Sequence, residues 1–115
     1  MPSAMHLQRY LDFMRSPVYV AERDLVAVSP AGDVAAFMVW WADPSGVAQI
    51  EPFGTHPDFH RQGIGRALIY HGLAEMKAAG MNTARVVTDA AAGFYRGVGF
   101  EEAGSLRWWA SLSGR

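Results

Sequence analysis

Two glycines and two arginines stand where the sequence predicts a helix to begin. Gly63 and Gly65 lie in the stretch HPDFHRQGIGRALI, between Arg61 and Arg66. The first amide N–H groups of a helix have no intrahelical acceptor, and the helix dipole makes this end positive. Glycine removes the Cβ atoms that would hold a ligand away from these amides, and arginine adds donors for phosphate oxygens. The pattern therefore predicts an anion site, and a pyrophosphate fits it.

Close packing of the helix on a sheet would explain the same two glycines. Two named phosphate motifs do not fit the chain. A P-loop requires G-x4-G-K-[ST], which is absent, and a dinucleotide fingerprint requires a third glycine where Leu68 stands. That fingerprint also opens a parallel βαβ unit, whereas this loop follows strands predicted to be antiparallel. The residues alone leave packing and anion binding open.

The segment before the glycines predicts an antiparallel meander. Residues 24–29, 34–42 and 47–55 have strand-like composition, and the turn sequences PAGD and DPSG separate them. Pro52 and Gly54 interrupt the third strand, because proline removes a ladder donor and glycine weakens a strand interior. We therefore predict a bulge or a splay there instead of a continuous ladder.

From the glycines onward the chain alternates between helical and extended patterns. Apolar residues recur at helical spacing up to Met76, and Gly80 is suited to end that helix. A further short helix is predicted after the fourth strand, with Thr88 or Asp89 as its N-cap. The predicted fold class is mixed α/β. The other predicted elements are an N-terminal helix over residues 3–16, a fourth strand over 83–88 and one or two closing strands over 100–112.

The composition predicts a single soluble domain over residues 1–115 and excludes several function classes. Half of the residues are hydrophobic, the net charge is −1, and the chain has no cysteine. Disulfides and thiolate metal sites are thus excluded, and a basic nucleic-acid surface is not expected. No apolar run is long enough to span a membrane, and the N-terminus has no signal-peptide pattern. We expect a cytoplasmic protein without nucleic-acid or membrane partners.

Two motifs in order resemble the GNAT superfamily of acetyl-CoA-dependent N-acetyltransferases. HRQGIGRAL resembles the acyl-CoA-binding signature (Arg/Gln)-x-x-Gly-x-(Gly/Ala), although His60 stands where that signature has Arg or Gln. TDAAAGFYRGVGF, residues 88–100, resembles the second motif, a helix ending in Tyr-x-x-x-Gly-Phe. The resemblance covers about residues 24–104. It implies a GNAT-like fold with a central mixed sheet flanked by helices.

The resemblance implies a site for acetyl-CoA as co-substrate. The third and fourth strands would splay apart, and the pantetheine arm would pair with the exposed backbone of the third strand. The pyrophosphate would bind the amides at the start of the first helix after the meander. The residues implied are Phe53, Gly54, Thr55, Arg61, Gln62, Gly63, Ile64, Gly65, Arg66 and Thr88.

N-acetylation requires a base for the amine and an acid for the departing thiolate. Glu51 is the candidate base because it precedes the predicted splay, and Asp58 and His56 are alternatives in the following loop. Tyr95 is the candidate acid, because it resembles the motif tyrosine whose hydroxyl lies near the thioester sulfur. The pattern alone also allows a solvated Glu51 and a core Tyr95. We expect no metal site, since Pro57 argues against a helix that would bring two histidines together.

The predicted function is transfer of an acetyl group from acetyl-CoA to a primary amine, by direct attack in a ternary complex. The acceptor is a small molecule or a peptide. One alternative is a non-catalytic acyl-CoA sensor or a subunit of a larger complex, and another is a nucleotide-phosphate binder unrelated to CoA. The strand and helix that usually begin the family's fold are missing, so we expect a minimal version, a fragment or a chain completed by a partner such as a second copy.

Overall fold

Six strands and two α-helices make up the part of the chain that the structure describes. The computed structural model describes residues 23–60, 62–88, 91–104 and 106–113, and the helix predicted over residues 3–16 lies outside them. In chain order the elements are β1 (Asp24–Val28), β2 (Val34–Ala42), β3 (Val47–Thr55), a 3-10 helix (Pro57–Phe59), α1 (Ile64–Ala78), β4 (Thr83–Val87), α2 (Ala92–Gly97), β5 (Glu101–Glu102) and β6 (Arg107–Ser111).

The strands form one mixed sheet in the order β1-β2-β3-β4-β6-β5. β1, β2 and β3 pair antiparallel, so the predicted meander is confirmed. After α1 the chain returns as β4, which pairs parallel to β3, and β6 pairs antiparallel with both β4 and β5. The boundary between β3 and β4 is therefore the one parallel contact among the described strands.

Both helices pack on the same face of the sheet, which we call the helix face. Buried residues of β2, β3, β4 and β6 form one core cluster with residues of α1 and α2. Because side chains alternate along a strand, each tryptophan pair divides between the two faces. Trp40 and Trp108 are each 2% exposed within this core, whereas Trp41 and Trp109 are half-buried on the second face. One member of each pair therefore lies in the core.

An apolar stripe fixes α1 against the sheet. Leu68, Ile69, Leu73 and Met76 are buried at the helical spacing that the sequence predicts. Burying each such side chain contributes about 1.5–3 kcal/mol of transfer free energy. The stripe therefore holds the whole helix, including its first turn, close to β2 and β3. None of the described helices is long and apolar enough to cross a membrane.

The second helix begins later than the sequence predicts. Ala92 is its first residue, and Ala91 occupies the N-cap position in the left-handed conformation, with φ 61°. The prediction of Thr88 as N-cap is wrong, because a loop separates it from the helix, and Asp89 lies outside the described residues. A left-handed residue cannot continue a right-handed helix, so the helix starts only after Ala91.

Candidate functional site

A bulge interrupts β3 at Pro52. Met38 of β2 pairs with Phe53, but Trp40, two residues further along β2, pairs with Ile50. Two residues of β3 therefore stand opposite one residue of β2, and this extra residue bends the strand. The bulge that the sequence predicts is confirmed.

β3 and β4 separate after three residue pairs. Residues 47–49 pair with residues 83–85. In the described sheet, Val86 and Val87 pair with β6 alone. Residues 50–55 of β3 therefore have β2 on one side and a gap on the other, which confirms the predicted splay.

Phe53 and Thr55 present their backbone polar groups to this gap. The N–H of His56 donates to a carbonyl of β2 at 2.8 Å. The N–H and carbonyl groups of successive residues in a strand point alternately to its two sides. Those of Gly54 therefore also point toward β2, and those of Phe53 and Thr55 point toward the gap. The Nε2–H of His60 donates to the Thr55 carbonyl at 2.9 Å, which agrees with this direction. The gap is thus lined by groups that an extended ligand can pair with.

The first turn of α1 lies against this half of β3. A Cβ atom at Gly65 would stand 2.8 Å from Oγ1 of Thr55 and 3.4 Å from Cζ of Phe53. Gly63 is the N-cap with φ 76°, a left-handed conformation, and no described atom lies within 4 Å of where its Cβ would be. The two glycines therefore serve different purposes. Gly65 allows close packing, whereas Gly63 allows the backbone turn and leaves open space in front of it.

The amides of this turn have no acceptor within the helix. The first helical bond runs from the N–H of Ala67 to the carbonyl of Gly63 at 3.0 Å, and no described side chain caps the helix. The N–H groups of Ile64, Gly65 and Arg66 therefore have the geometry that accepts an anion.

The polar side chains around the turn are exposed and bonded elsewhere. The guanidinium of Arg66 lies 5.6 Å from the ring centroid of Tyr70 and donates to its hydroxyl at 3.4 Å. The side-chain amide of Gln62 donates to the Asp58 carbonyl at 3.3 Å. Arg61 lies outside the described residues. Among the described residues, the candidate anion site thus consists of backbone amides, and roles for these three side chains remain predictions.

Tyr95 lies among aromatic rings beside the gap. Its ring centroid is 6.3 Å from that of Phe53, 5.2 Å from Phe94 and 5.5 Å from Phe100. The residue is 4% exposed. Burial raises the pKa of Tyr95 to about 12, because apolar surroundings disfavour the phenolate. The phenol therefore keeps its proton at neutral pH, next to a residue that lines the gap.

The side chain of Glu51, in β3, lies on the second face of the sheet. Its neighbour Ile50 belongs to the core on the helix face, so alternation places the exposed Glu51 on the second face. Its backbone carbonyl accepts a hydrogen bond from the indole N–H of Trp41 at 2.8 Å. The two candidate catalytic residues, Glu51 and Tyr95, therefore stand on different sides of the strand that borders the gap.

The remaining candidates take part in backbone contacts. The N–H of Thr88 donates to the Leu106 carbonyl at 2.8 Å, so this amide is engaged within the fold. Nδ1 of His56 accepts from the N–H of Asp58 at 3.1 Å. Within the described ranges, no group of three or more His, Cys, Asp or Glu residues could hold a metal ion.

Comparison with known proteins identifies the family. Residues 15–102 match the model of the acetyltransferase (GNAT) domain. The chain belongs to the GNAT acetyltransferase family. No curated protein sequence matches the chain significantly.

Solved GNAT structures share the fold. The ribosomal-protein-S18-alanine N-acetyltransferase of Escherichia coli is 21% identical, with a TM-score of 0.75 and coverage of 100% of this chain and 81% of that chain. Ard1 of Thermoplasma volcanium is 26% identical, with a TM-score of 0.74 and coverage of 89% and 76%. The GNAT N-acetyltransferase YhbS of E. coli, solved in complex with CoA, is 20% identical, with a TM-score of 0.68 and coverage of 78% and 58%. The predicted mixed α/β GNAT fold is confirmed.

The GNAT motifs did not reveal two contacts that shape the gap. Trp41 binds the Glu51 carbonyl, and His60 binds the Thr55 carbonyl. Both bonds join a side chain to a backbone oxygen, whose direction depends on strand register and on the bulge. A sequence pattern of side chains carries no signal for such a direction.

Proposed function

We propose that this GNAT chain transfers an acetyl group from acetyl-CoA to a primary amine in a ternary complex. The observation that carries the proposal is the gap beside residues 50–55 of β3, which ends at the unpaired amides of α1. A backbone edge and a helix N-terminus at one gap suit a ligand with an extended amide-bearing arm and a pyrophosphate. Acetyl-CoA has both parts.

The arrangement of Phe53, Thr55 and α1 gives each part of the ligand a partner. The arm would pair with the gap-facing groups of Phe53 and Thr55, and the pyrophosphate would bind the amides of Ile64, Gly65 and Arg66. Gly65 keeps the helix close enough to β3 for one ligand to reach both. This division supports acetyl-CoA over a plain nucleotide, which has no arm to fill the strand edge.

The two candidate catalytic residues would carry out different proton transfers, one from the amine and one to the thiolate. The amine nitrogen attacks the thioester carbonyl carbon, the new C–N bond forms, and the C–S bond breaks. Glu51, directly or through water, takes the proton that the ammonium must lose before attack. Tyr95 donates its proton to the departing thiolate, and a backbone N–H of residues 53–55 stabilises the oxyanion. With its pKa raised to about 12, Tyr95 enters the reaction protonated.

Thermal unfolding with acetyl-CoA, ATP and NADH tests the proposal. A ligand that binds only the native protein at about 100 times its Kd adds about 2.7 kcal/mol to the free energy of unfolding. We expect a shift in Tm of several degrees with acetyl-CoA and a smaller one with ATP and NADH. A panel of primary amines is then assayed for release of CoA thiol. Equal shifts with ATP and acetyl-CoA, or no shift with either, would reject the proposed cofactor.

Two further parts of the proposal concern the surroundings of the enzyme. We propose that it acts in the cytoplasm, where acetyl-CoA is made available, and cell fractionation checks this. We also propose a homodimer, motivated by the apolar closing strand β6, whose Trp109 is half-buried on the second face. A monomeric mass by light scattering at the assay concentration would reject the dimer.

A further inference from the structure

Four side chains form a row across the second face of the sheet. The strand register aligns Trp41 of β2 with Gln49 of β3, Gln49 with Arg85 of β4, and Arg85 with Trp109 of β6. All four are half-buried. We call these residues the cross-strand row. It lies on the face opposite α1 and α2, away from the first turn of α1.

The row crosses the sheet at the point where β3 and β4 separate. Gln49 and Arg85 are the last residue pair of the parallel ladder. Nε of Arg85 donates to Oε1 of Gln49, and its guanidinium lies 5.5 Å from the ring centroid of Trp109. A planar guanidinium held by an amide on one side and an aromatic ring on the other has few alternative positions. The row therefore fixes the spacing of the strands at the base of the gap.

Trp41 extends the same row to the bulge. Trp41 is the register partner of Gln49, and its indole N–H donates to the Glu51 carbonyl at 2.8 Å. Glu51 lies two residues before Phe53, whose backbone faces the gap. The bond therefore holds the bulge that sets the direction of this edge, and the row controls both the base of the gap and one of its sides.

We propose that the cross-strand row positions the free edge of β3 and so sets the affinity for acetyl-CoA without touching the ligand. The inference rests on the proposed function, because it takes acetyl-CoA to pair with that edge. An edge already held in its binding conformation loses less conformational freedom when a ligand pairs with it. Loss of the row leaves the edge free to move, and binding must then order it. Trp41, Gln49, Arg85 and Trp109 are accordingly positioning residues.

Two adjacent tryptophans provide a matched test with Trp41→Phe and Trp40→Phe. Each change keeps an aromatic ring and removes one indole N–H. The N–H of Trp41 bonds the bulge, whereas that of Trp40 is buried on the helix face with no acceptor among the described residues. We expect W41F to raise the Kd of acetyl-CoA about fivefold, the loss of one hydrogen bond. Its KM should rise in parallel while kcat stays near the wild-type value, and W40F should keep the wild-type Kd even if its Tm falls.

A second matched pair, Arg85→Lys and Arg23→Lys, tests the base of the gap independently of tryptophan. Arg23 also lies over an indole ring, 4.5 Å from the centroid of Trp40, but it precedes β1, which β2 separates from the ladder of β3 and β4. We expect R85K to weaken acetyl-CoA binding several-fold and R23K to leave it unchanged. Isothermal titration calorimetry measures each Kd at a temperature below the Tm of every variant.

The outcomes separate this inference from the proposed function. If the wild-type protein binds acetyl-CoA and the Kd is unchanged in both W41F and R85K, the role of the row is overturned while the proposed function stands. Equal weakening in W41F and W40F would also overturn it, since the effect would then follow from general loosening of the fold. A wild-type protein that binds no acetyl-CoA would overturn the proposed function and the role of the row together.

Discussion

The two halves of β3 differ in how many neighbouring strands they pair with. Before the bulge, Ala48 and Gln49 pair with β2 on one side and with β4 on the other. Residues 53–55 pair with β2 but face a gap where β4 has turned away. One strand therefore pairs on both sides in its first half and has a free edge in its second. The bulge between the halves lets both exist in a single element.

Burial follows the same division. Ala48 and Ile50 are at most 1% exposed and belong to the core, whereas residues 52–55 are each half-buried. Core packing holds the first half, and contacts with other elements hold the second half. These contacts come from the first turn of α1 at Gly65, from His60, from Trp41 at the bulge, and from the rings of Phe94 and Tyr95 against Phe53. The comparison therefore predicts that changes in the first half alter stability and changes around the second half alter ligand binding.

The largest effect is expected from Tyr95→Phe, which removes the proposed acid and keeps the ring beside the second half. A general acid contributes about 10²–10⁴-fold to the rate, so kcat should fall by that factor while the Kd of acetyl-CoA stays constant. Steady-state kinetics and calorimetry measure the two quantities. Unchanged turnover would exclude Tyr95 as the acid. Wild-type protein that binds acetyl-CoA but turns over no amine would instead favour the sensor alternative.

Gly65→Ala sharpens the comparison at the contact between α1 and the second half. The new Cβ would meet Thr55 Oγ1 at 2.8 Å, so helix and strand must move apart. We expect a loss of about 1–3 kcal/mol in the free energy of unfolding and weaker acetyl-CoA binding. Gly63→Ala is the control, because its Cβ enters open space and the cost of about 1–2 kcal/mol comes from the left-handed φ alone. Urea unfolding measures the loss of stability, and calorimetry measures the Kd of acetyl-CoA. A Kd in G65A equal to that of the wild type would contradict the role of this close packing in binding.

The raised pKa of Tyr95 predicts a pH dependence of stability. The pKa is about 12 in the folded protein and 10.0 in the unfolded reference, so the unfolded chain loses this proton first as pH rises. The free energy of unfolding should therefore fall with pH, by about 1.3 kcal/mol between pH 9 and 11, relative to Tyr95→Phe. Urea unfolding of both proteins at the two pH values measures this difference. Parallel pH profiles would show that the phenol ionises as readily in the folded protein as in the unfolded one.

The smallest effect is expected from Ile50→Val in the first half of β3. Removing one buried methylene costs about 0.5–1.5 kcal/mol in the free energy of unfolding. The Kd of acetyl-CoA should not change, because the side chain of Ile50 lies in the core before the bulge, and the residues proposed to pair with the ligand, Phe53 and Thr55, follow the bulge. Phe53→Leu is the matching change in the second half, and there we expect a raised KM because the contact with Tyr95 is lost. A raised Kd in I50V would remove the distinction between the two halves.

The sequence predicted the order of strands and helices because each element carries its own local pattern. Alternating turns and apolar runs marked β1 to β3, the helical stripe marked α1, and Pro52 marked the bulge. The predicted start of α2 was wrong, because the loop before it ends in Ala91 in the left-handed conformation. Alanine rarely adopts this conformation, so the residue type does not indicate it. The site could be predicted only where glycine chemistry or motif resemblance pointed to it.

Features that depend on register could not be predicted. Which backbone groups face the gap follows from the pairing of His56 with β2, and a shift of one residue would reverse it. The cross-strand row likewise exists because four residues from distant parts of the chain share one register line. The two glycines also show this limit, since the sequence offered packing and anion binding as alternatives, and only the structure shows that Gly65 allows close packing whereas Gly63 faces open space.

Amide hydrogen exchange at residues 53 and 54 tests the central claim most directly, because these adjacent amides face opposite sides of β3. Two-dimensional NMR follows both sites with and without saturating acetyl-CoA. If the arm pairs with the free edge, exchange at Phe53 should slow by about tenfold or more while exchange at Gly54, already paired with β2, changes little. Saturated binding with unchanged exchange at Phe53 would contradict the claim that the second half of β3 is the binding edge.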